Sequence, residues 1–235
     1  MIPTPRSVPT TGGVRPRRAW NDRAVALVLV AAVGSGAWMM YDGSRSGHPP
    51  QPSAADAFPT STEAPGVATL PAPKPAPGVK PLPASVPVRI KIPAIGVNAP
   101  VTLLNLDKSR QLQVPSDTNR NLAGWYRGGP APGTAGNAIM DGHVDTHQGP
   151  AVFYNLGSLH KGNVVEVDRK DGTAALFTVD AIEVYEKSSF PSTRVYGPTK
   201  DPQLRLITCG GGYNKTSGYL GNVVLYAHLT GSKHV

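Results

Sequence analysis

The chain has 235 residues and a formal net charge of +8, and 40% of its residues are hydrophobic. This length accommodates one sizeable domain with extensions, or two small domains. Residues 86–235 carry 15 Lys and Arg against 11 Asp and Glu, with no basic run and no alternation of basic and aromatic residues. That distribution argues against nucleic acid as a partner, and the single cysteine excludes an intrachain disulfide.

The first predicted element is a transmembrane helix at residues 24–41. This stretch contains no charged residue and is at the short end of the roughly 17–25 residues that span a bilayer. Residues 1–23 before it contain five arginines and one acidic residue. The positive-inside rule therefore places residues 1–23 in the cytoplasm and the residues after Tyr41 outside the cell. A cleaved signal peptide is the alternative, but Trp38, Met39 and Met40 occupy the place where small residues precede a cleavage site. We therefore expect a single-pass protein of the cell membrane.

Residues 42–85 are predicted to form a proline-rich extracellular tether. The segment contains close to half of the 25 prolines of the chain. Such a composition favours an extended polyproline conformation and cannot bury a core. It separates the predicted anchor from one folded domain, which we place at residues 86–235.

The predicted domain consists mainly of short strands. Residues 86–92 alternate apolar and polar side chains, the pattern of a half-buried strand. One short helix is predicted at residues 151–159, where Val152, Leu156 and Leu159 share a face. Short strands with irregular loops and little helix indicate a mainly-β barrel or sandwich. The other strand candidates are residues 97–104, 137–141, 163–168, 176–185, 204–209 and 222–228.

Cys209 is the first candidate for chemistry. It ends the predicted strand 204–209 and is followed at once by three glycines. A nucleophile needs access to substrate and nearby backbone N–H donors, and a strand end beside a glycine-rich stretch offers both. A lone cysteine can equally be a small buried hydrophobic residue.

His143 is the second candidate, because it follows the apolar stretch 139–140 in a glycine-containing turn. A cysteine and a histidine at the ends of two strands of one barrel can act as a nucleophile and its acid/base partner. A metal site formed by His143 and His147 with Asp141 or Asp145 is a second interpretation. No third strong ligand follows at a recognisable spacing, so we predict no metal and no cofactor.

These segments together resemble the sortase family, with the actinobacterial class F or class E as the most similar type. The resemblance extends over residues 86–231. It is carried by the cysteine strand Leu206-Ile-Thr-Cys209, by the histidine turn Ile139-Met-Asp-Gly-His143, and by residues 88–96, 124–126, 149–156 and 161–167.

The resemblance implies a closed barrel of about eight strands with one or two short helices. It implies a cysteine transpeptidase acting on secreted proteins with a C-terminal sorting signal similar to Leu-Pro-x-Thr-Gly. Cys209 would attack the Thr–Gly carbonyl, and His143 would protonate the departing amine. An amine of a peptidoglycan precursor would then resolve the thioacyl-enzyme.

The chain departs from the family at one position. Sortases place an arginine on the strand after the cysteine, but no arginine follows Arg205 here, and the matching position falls on Leu220, Gly221 or Asn222. Candidates for oxyanion or substrate support are Asn222, Arg205 and Thr208. Thr208 faces away from Cys209 if the strand is regular, since side chains alternate.

Two further donors for that role remain open, Lys215 and Arg194. The missing arginine also motivates an alternative function, a non-catalytic or weakly active barrel that binds sorting-signal peptides or wall polymers. A third possibility, an L,D-transpeptidase, is disfavoured because those enzymes carry a Ser-x-Gly-Cys-type stretch and this chain has Leu-Ile-Thr-Cys-Gly-Gly.

Overall fold

The computed structural model of the protein describes residues 47–59 and 79–235. The predicted basic segment 1–23, the predicted anchor 24–41 and residues 42–46 and 60–78 of the predicted tether lie outside the described residues. Within the two described ranges, no helix is long and apolar enough to cross a membrane. The anchor and the domain boundaries therefore remain predictions.

The first strand illustrates how the alternating stretches become barrel strands. β1 (Pro87–Ile92) buries Ile90 and Ile92 completely, because their side chains point into the interior. Lys91, between them, points outward, and its ammonium lies 3.1 Å from the carboxylate of Glu166 and 2.7 Å from that of Asp168. The alternation read from the sequence is thus the inside–outside alternation of the strand.

The strands close into a mainly-β barrel. Around the barrel the order is β1-β2-β3-β4-β9-β10-β8-β7, and the short strands β5 and β6 pair separately. Neighbouring strands are antiparallel except for the pairs β2–β3 and β4–β9, which are parallel. The closed eight-stranded barrel confirms the predicted fold. The remaining strands are β2 (Val97–Leu104), β3 (Ala123–Tyr126), β4 (Asn137–Gly142), β5 (Asp145–Thr146), β6 (Gly149–Pro150), β7 (Val164–Arg169), β8 (Thr173–Glu186), β9 (Gln203–Asn214) and β10 (Gly218–His234).

Apolar side chains from the strands and from one loop fill the interior. Met140 of β4, Leu206 of β9 and Leu225 of β10 are fully buried there. The loop between β6 and β7 adds Phe153 and Leu156, which are also fully buried. Burial on this scale fixes the ends of β4 and β9, where the candidate residues lie.

The prediction of a helix at residues 151–159 is wrong. Only one turn of 3-10 helix forms there, at Leu156–Ser158. The backbone N–H groups bond three residues back, as from Leu156 to Phe153, and the N–H of Phe153 bonds to the carbonyl of His143. The loop is therefore drawn against the histidine turn. A short helix that the sequence did not predict, α1 (Ser192–Tyr196), lies in the loop between β8 and β9.

Part of the segment predicted as a tether is folded onto the domain. We call residues 48–58 the N-terminal strap. Asp56 of the strap is buried and accepts a hydrogen bond of 2.8 Å from Nδ1 of His160. The ring of Phe58 packs edge-on against Tyr226, with 5.0 Å between ring centroids. These contacts hold the described part of the segment on the barrel wall.

Candidate active site

Parallel pairing of β4 with β9 brings the two candidate residues to the same edge of the barrel. The observed register ends with Asp141 opposite Ile207. His143 directly follows the end of β4, and Cys209 lies two residues beyond Ile207 on β9. Adjacent strands lie about 4.8 Å apart, so the two residues lie at the same end of this strand pair.

Thr208 ties these two strands together just before the site. Its hydroxyl is buried and donates a hydrogen bond of 2.7 Å to the carbonyl of Gly142. Its side chain points to the opposite face of β9 from Cys209, as the alternation predicted. The geometry therefore gives Thr208 a structural role at the strand junction and leaves it outside the reacting side of the site.

Cys209 is half-buried, and the strand does not end at this residue as predicted. β9 continues to Asn214 because it pairs with β10, whereas its other neighbour β4 stops at Gly142. Close packing requires the first of the glycines that follow, because a Cβ atom on Gly210 would lie 2.5 Å from a methyl group of Val223. Cys209 thus sits where one edge of β9 becomes free.

The electrostatic surroundings of the thiol are mixed. Burial raises the pKa of Cys209, and the carboxylates of Asp141 and Asp145 raise it further. The ammonium of Lys187 acts in the opposite direction and lowers the pKa of the thiol. Ionisation of Cys209 therefore needs a proton acceptor and a nearby positive charge.

His143 is held in place by its backbone and by its ring. Nε2 lies 2.8 Å from the carbonyl oxygen of Pro115, which can only accept, so Nε2 carries a hydrogen and donates it. This bond leaves Nδ1 as the nitrogen that can take up or release a proton. The backbone carbonyls of His143 and Val144 accept hydrogen bonds of 3.0 Å from Phe153 and Ala151. The ring is thus oriented, as a general acid or base requires.

Asp145 connects the histidine loop to β10. The hydroxyl of Tyr219 donates a hydrogen bond to its carboxylate, and burial together with this bond raises the pKa of Tyr219. The alternative metal site would have used Asp145 with His143 and His147. In the described ranges, no group of three or more histidine, cysteine or acidic residues is arranged to hold a metal ion.

Asp141 lies on the same face as His143, two residues earlier on β4. It is half-buried, and burial raises its pKa to about 8. Burial raises the pKa of the Tyr196 hydroxyl on α1, and the charge of Asp141 raises it further. The site therefore contains a carboxyl group that changes its charge near neutral pH.

The residue opposite Cys209 on β10 is Asn222. It is half-buried and is one of the three positions, with Leu220 and Gly221, at which the resemblance to sortases led us to look for an arginine. An amide can donate a hydrogen bond to a developing oxyanion, but it brings no charge. Asn222 is the sequence-predicted support residue that the structure brings to the site.

Arg205 is not brought to Cys209. It is buried four residues earlier, where its guanidinium donates a hydrogen bond of 2.6 Å to the side chain of Gln203 and lies 4.4 Å from the ring centroid of Tyr226. Arg194 is also engaged elsewhere, in a salt bridge of 3.1 Å with Glu183. Both arginines share the outer face of the barrel with Cys209, but their partners hold them away from the thiol.

Two residues near Cys209 in the fold were missed by the sequence reasoning. Lys187 follows β8 and has no motif around it, so only the pairing of β8 with β10 reveals its proximity to the site. The second is Gln51 of the strap, whose side-chain oxygen accepts a hydrogen bond of 3.2 Å from the backbone N–H of Gly211. Gln51 is far from Cys209 in the sequence, so no local pattern could connect the two residues.

Residues 90–230 match the family model described as "Sortase domain". None of the curated protein sequences compared with the chain matches it.

Solved structures of sortases are similar to the chain. Sortase A of Listeria monocytogenes is 20% identical with a TM-score of 0.49, and the match covers 65% of this chain and 92% of that one. The SrtA sortase from Actinomyces oris is 21% identical with a TM-score of 0.49, covering 68% of this chain and 88% of that one. Sortase C-1 from Actinomyces oris is 22% identical with a TM-score of 0.47, covering 62% and 75% respectively.

Proposed function

Since this chain belongs to the sortase family of cysteine transpeptidases, we propose that it is a membrane-anchored sortase with Cys209 as nucleophile and His143 as acid/base partner. We assign it to the actinobacterial class F or class E type on the likeness of its motifs. The observation that supports the residue assignment is the parallel register of β4 and β9, which ends with Asp141 opposite Ile207, two residues before His143 and Cys209.

The proposed substrate is a secreted protein ending in a signal similar to Leu-Pro-x-Thr-Gly. Cys209 gives its proton to His143, and the thiolate attacks the Thr–Gly carbonyl carbon. The tetrahedral intermediate collapses, the C–N bond breaks, and His143 returns the proton to the leaving amine. A thioacyl-enzyme remains, which an amine of a cell-wall precursor resolves by the reverse sequence of proton transfers.

The proposed location follows from the composition of the N-terminal residues. Residues 24–41 would anchor the chain with residues 1–23 in the cytoplasm, so the barrel would face the cell wall. That side of the membrane contains both proposed substrates, the secreted protein and the peptidoglycan precursor.

A second candidate function is a barrel that binds sorting signals or wall polymers with little or no turnover. The observation that favours it is Asn222 opposite Cys209, an uncharged residue beside a thiol whose pKa is raised. Losing one oxyanion donor typically costs about 10²–10³ in rate, so this arrangement can weaken catalysis without abolishing it.

One experiment separates the two. The purified full chain in detergent is incubated with peptides Leu-Pro-x-Thr-Gly of several x, with Leu-Ala-x-Thr-Gly, and with an excess of amine, and products are followed by intact mass. A thioacyl adduct or amine-capped peptide that is absent with Cys209→Ala supports the transpeptidase. Peptide binding without adduct, by a protein whose Cys209 still reacts with an alkylating agent, supports the binding protein.

A further inference from the structure

Lys187 is the positively charged group that favours the thiolate of Cys209, whereas the neighbouring carboxylates oppose it. Burial disfavours the thiolate, and so do the carboxylates of Asp145 on β5 and, where it is ionised, of Asp141 on β4. Tyr219, on whose pKa Cys209 also acts, donates a hydrogen bond to Asp145, and His143 follows β4 at the same end of the barrel. A cysteine nucleophile in such surroundings needs a cation to be ionised near neutral pH.

Strand pairing places Lys187 at this edge of the barrel. Tyr185 of β8 is opposite Asn222 of β10, which is opposite Cys209 of β9, so these residues form one row across three strands. Two strand spacings put Tyr185 about 10 Å from Cys209 between Cα atoms. β8 ends one residue later, and Lys187 begins a 3-10 turn that packs against β10. A lysine has a long flexible stem, so the ammonium of Lys187 can approach this row of residues from beyond the end of β8.

The end of Lys187 is also free to act. Its side chain is exposed and forms no salt bridge within residues 47–59 and 79–235. Arg205 and Arg194 are held by Gln203 and Glu183, as described above. Lys215 is on the exposed turn between β9 and β10. Lys187 is thus a lysine without a salt-bridge partner among the described residues, and its charge acts on the thiol.

We propose that Lys187 is the cationic residue of this active site, supplying the positive charge that stabilises the thiolate of Cys209 and the oxyanion of the tetrahedral intermediate. The proposal rests on the function proposed above. Lys187 keeps its proton throughout: the thiol proton goes to His143, the C–S bond forms as the carbonyl π electrons move to oxygen, and the C–N bond breaks as His143 protonates the leaving amine. Asn222 would add a hydrogen bond where Lys187 adds charge.

The first test needs no substrate. The rate at which iodoacetamide alkylates Cys209 is measured against pH for the full-length wild type, Lys187→Gln, Lys187→Arg and the control Lys200→Gln, which changes an exposed lysine before the start of β9. A unit charge at about 8 Å in water changes the thiolate fraction about twofold to threefold. We expect Lys187→Gln to slow alkylation at neutral pH by that factor and to move the midpoint to higher pH. Lys187→Arg and Lys200→Gln should follow the wild type.

The second test measures thioacyl-enzyme formation with the best sorting-signal peptide. We expect Lys187→Gln to lower its rate about tenfold or more, because an oxyanion loses a charged partner, while Lys187→Arg retains most of the rate. Unchanged alkylation and unchanged acylation in Lys187→Gln would overturn the proposal. If the wild type forms no adduct with any peptide, the proposed function fails, while the alkylation profile still decides whether Lys187 acts on the thiol.

Discussion

Asn222 lies directly opposite Cys209 in the antiparallel pairing of β10 with β9. On its other side, the same asparagine pairs with Tyr185 of β8. The residue that faces the candidate nucleophile on β10 is therefore an uncharged amide. A lysine or arginine charge at the site must come from outside the row formed by Tyr185, Asn222 and Cys209. The charge of Lys187 is the one that acts on the thiol in the favourable direction.

Introducing an arginine at this position should accelerate the reaction. In Asn222→Arg the half-buried side chain gains a charge and several donors beside the thiol. We expect thioacyl-enzyme formation with a sorting-signal peptide to become about tenfold faster, as followed by intact mass at fixed times. Asn222→Gln is the matched control, since it keeps the amide on a longer stem. An arginine variant no faster than the glutamine variant would contradict the prediction.

Removing the carboxylate of Asp141 should activate the thiol. The charge of Asp141 raises the pKa of Cys209, so in Asp141→Asn the pKa of the thiol falls and alkylation becomes faster. Burial raises the pKa of Asp141 itself to about 8, so the wild-type group is mostly neutral below that pH. The advantage of the variant should therefore appear as pH rises through about 8. A rate ratio that is constant from about pH 6 to 9 would contradict this account.

The same carboxyl group should make stability depend on pH. In the unfolded chain Asp141 ionises near its model value of 3.8, whereas in the folded protein it ionises near 8. Over that interval the folded state holds the extra proton, so stability falls as pH rises from about 4 to 8. Because the side chain is partly exposed, we expect Asp141→Asn to be more stable above pH 8 by only about 1–2 kcal/mol.

That gain corresponds to a Tm higher by about 2–4 °C for each kcal/mol. Thermal unfolding of both proteins at about pH 4 and about pH 8.5 measures it. Asp201→Asn, which changes an exposed aspartate, is the control. Parallel pH profiles for wild type and Asp141→Asn would show that Asp141 is not the group responsible.

Thr208 should matter for stability through a single hydrogen bond. Thr208→Val leaves the carbonyl of Gly142 without the partner that lies 2.7 Å away. An unsatisfied buried acceptor costs about 1–3 kcal/mol, and the loss should be visible as a lower midpoint in urea. Thr208→Ser keeps the hydroxyl and should recover most of the stability. Equal midpoints for the valine and serine variants would argue against this bond.

The N-terminal strap should detach when its carboxylate is removed. The hydrogen bond from His160 is the largest cause of the lowered pKa of Asp56, followed by the bond from the backbone of Lys161. A lowered pKa means that the carboxylate stabilises the fold above its unfolded pKa, and this contribution is lost as pH falls through the lower folded value. In Asp56→Asn we expect faster hydrogen exchange and faster proteolysis within residues 48–58 at neutral pH. Protection equal to that of Asp201→Asn would contradict a clamping role for Asp56.

Strands could be predicted from the sequence where the local pattern of apolar, polar and turn-forming residues was clear. Period-two alternation identified β1, because one face of this strand is buried in the barrel. Stretches separated by clusters of Gly, Pro, Asn and Asp identified β2, β7 and the central parts of β4, β8, β9 and β10. β3 was missed because it is only four residues long and is defined by its partners β2 and β4. The expected helix at residues 151–159 failed because the backbone of Phe153 bonds to the distant His143 instead of closing a helical turn.

The sequence by itself selected Cys209 and His143, since each lies where an apolar stretch meets glycine, and it showed that no arginine follows Arg205. Which residues surround the thiol was decided only by the tertiary structure. Arg205 shares the face of Cys209 but is held by Gln203 and Tyr226, whereas Asn222 and Lys187 reach the site through strand pairing. Register between strands distant in the chain is set by core packing and bulges, which no local pattern encodes, and a one-residue shift would exchange these neighbours.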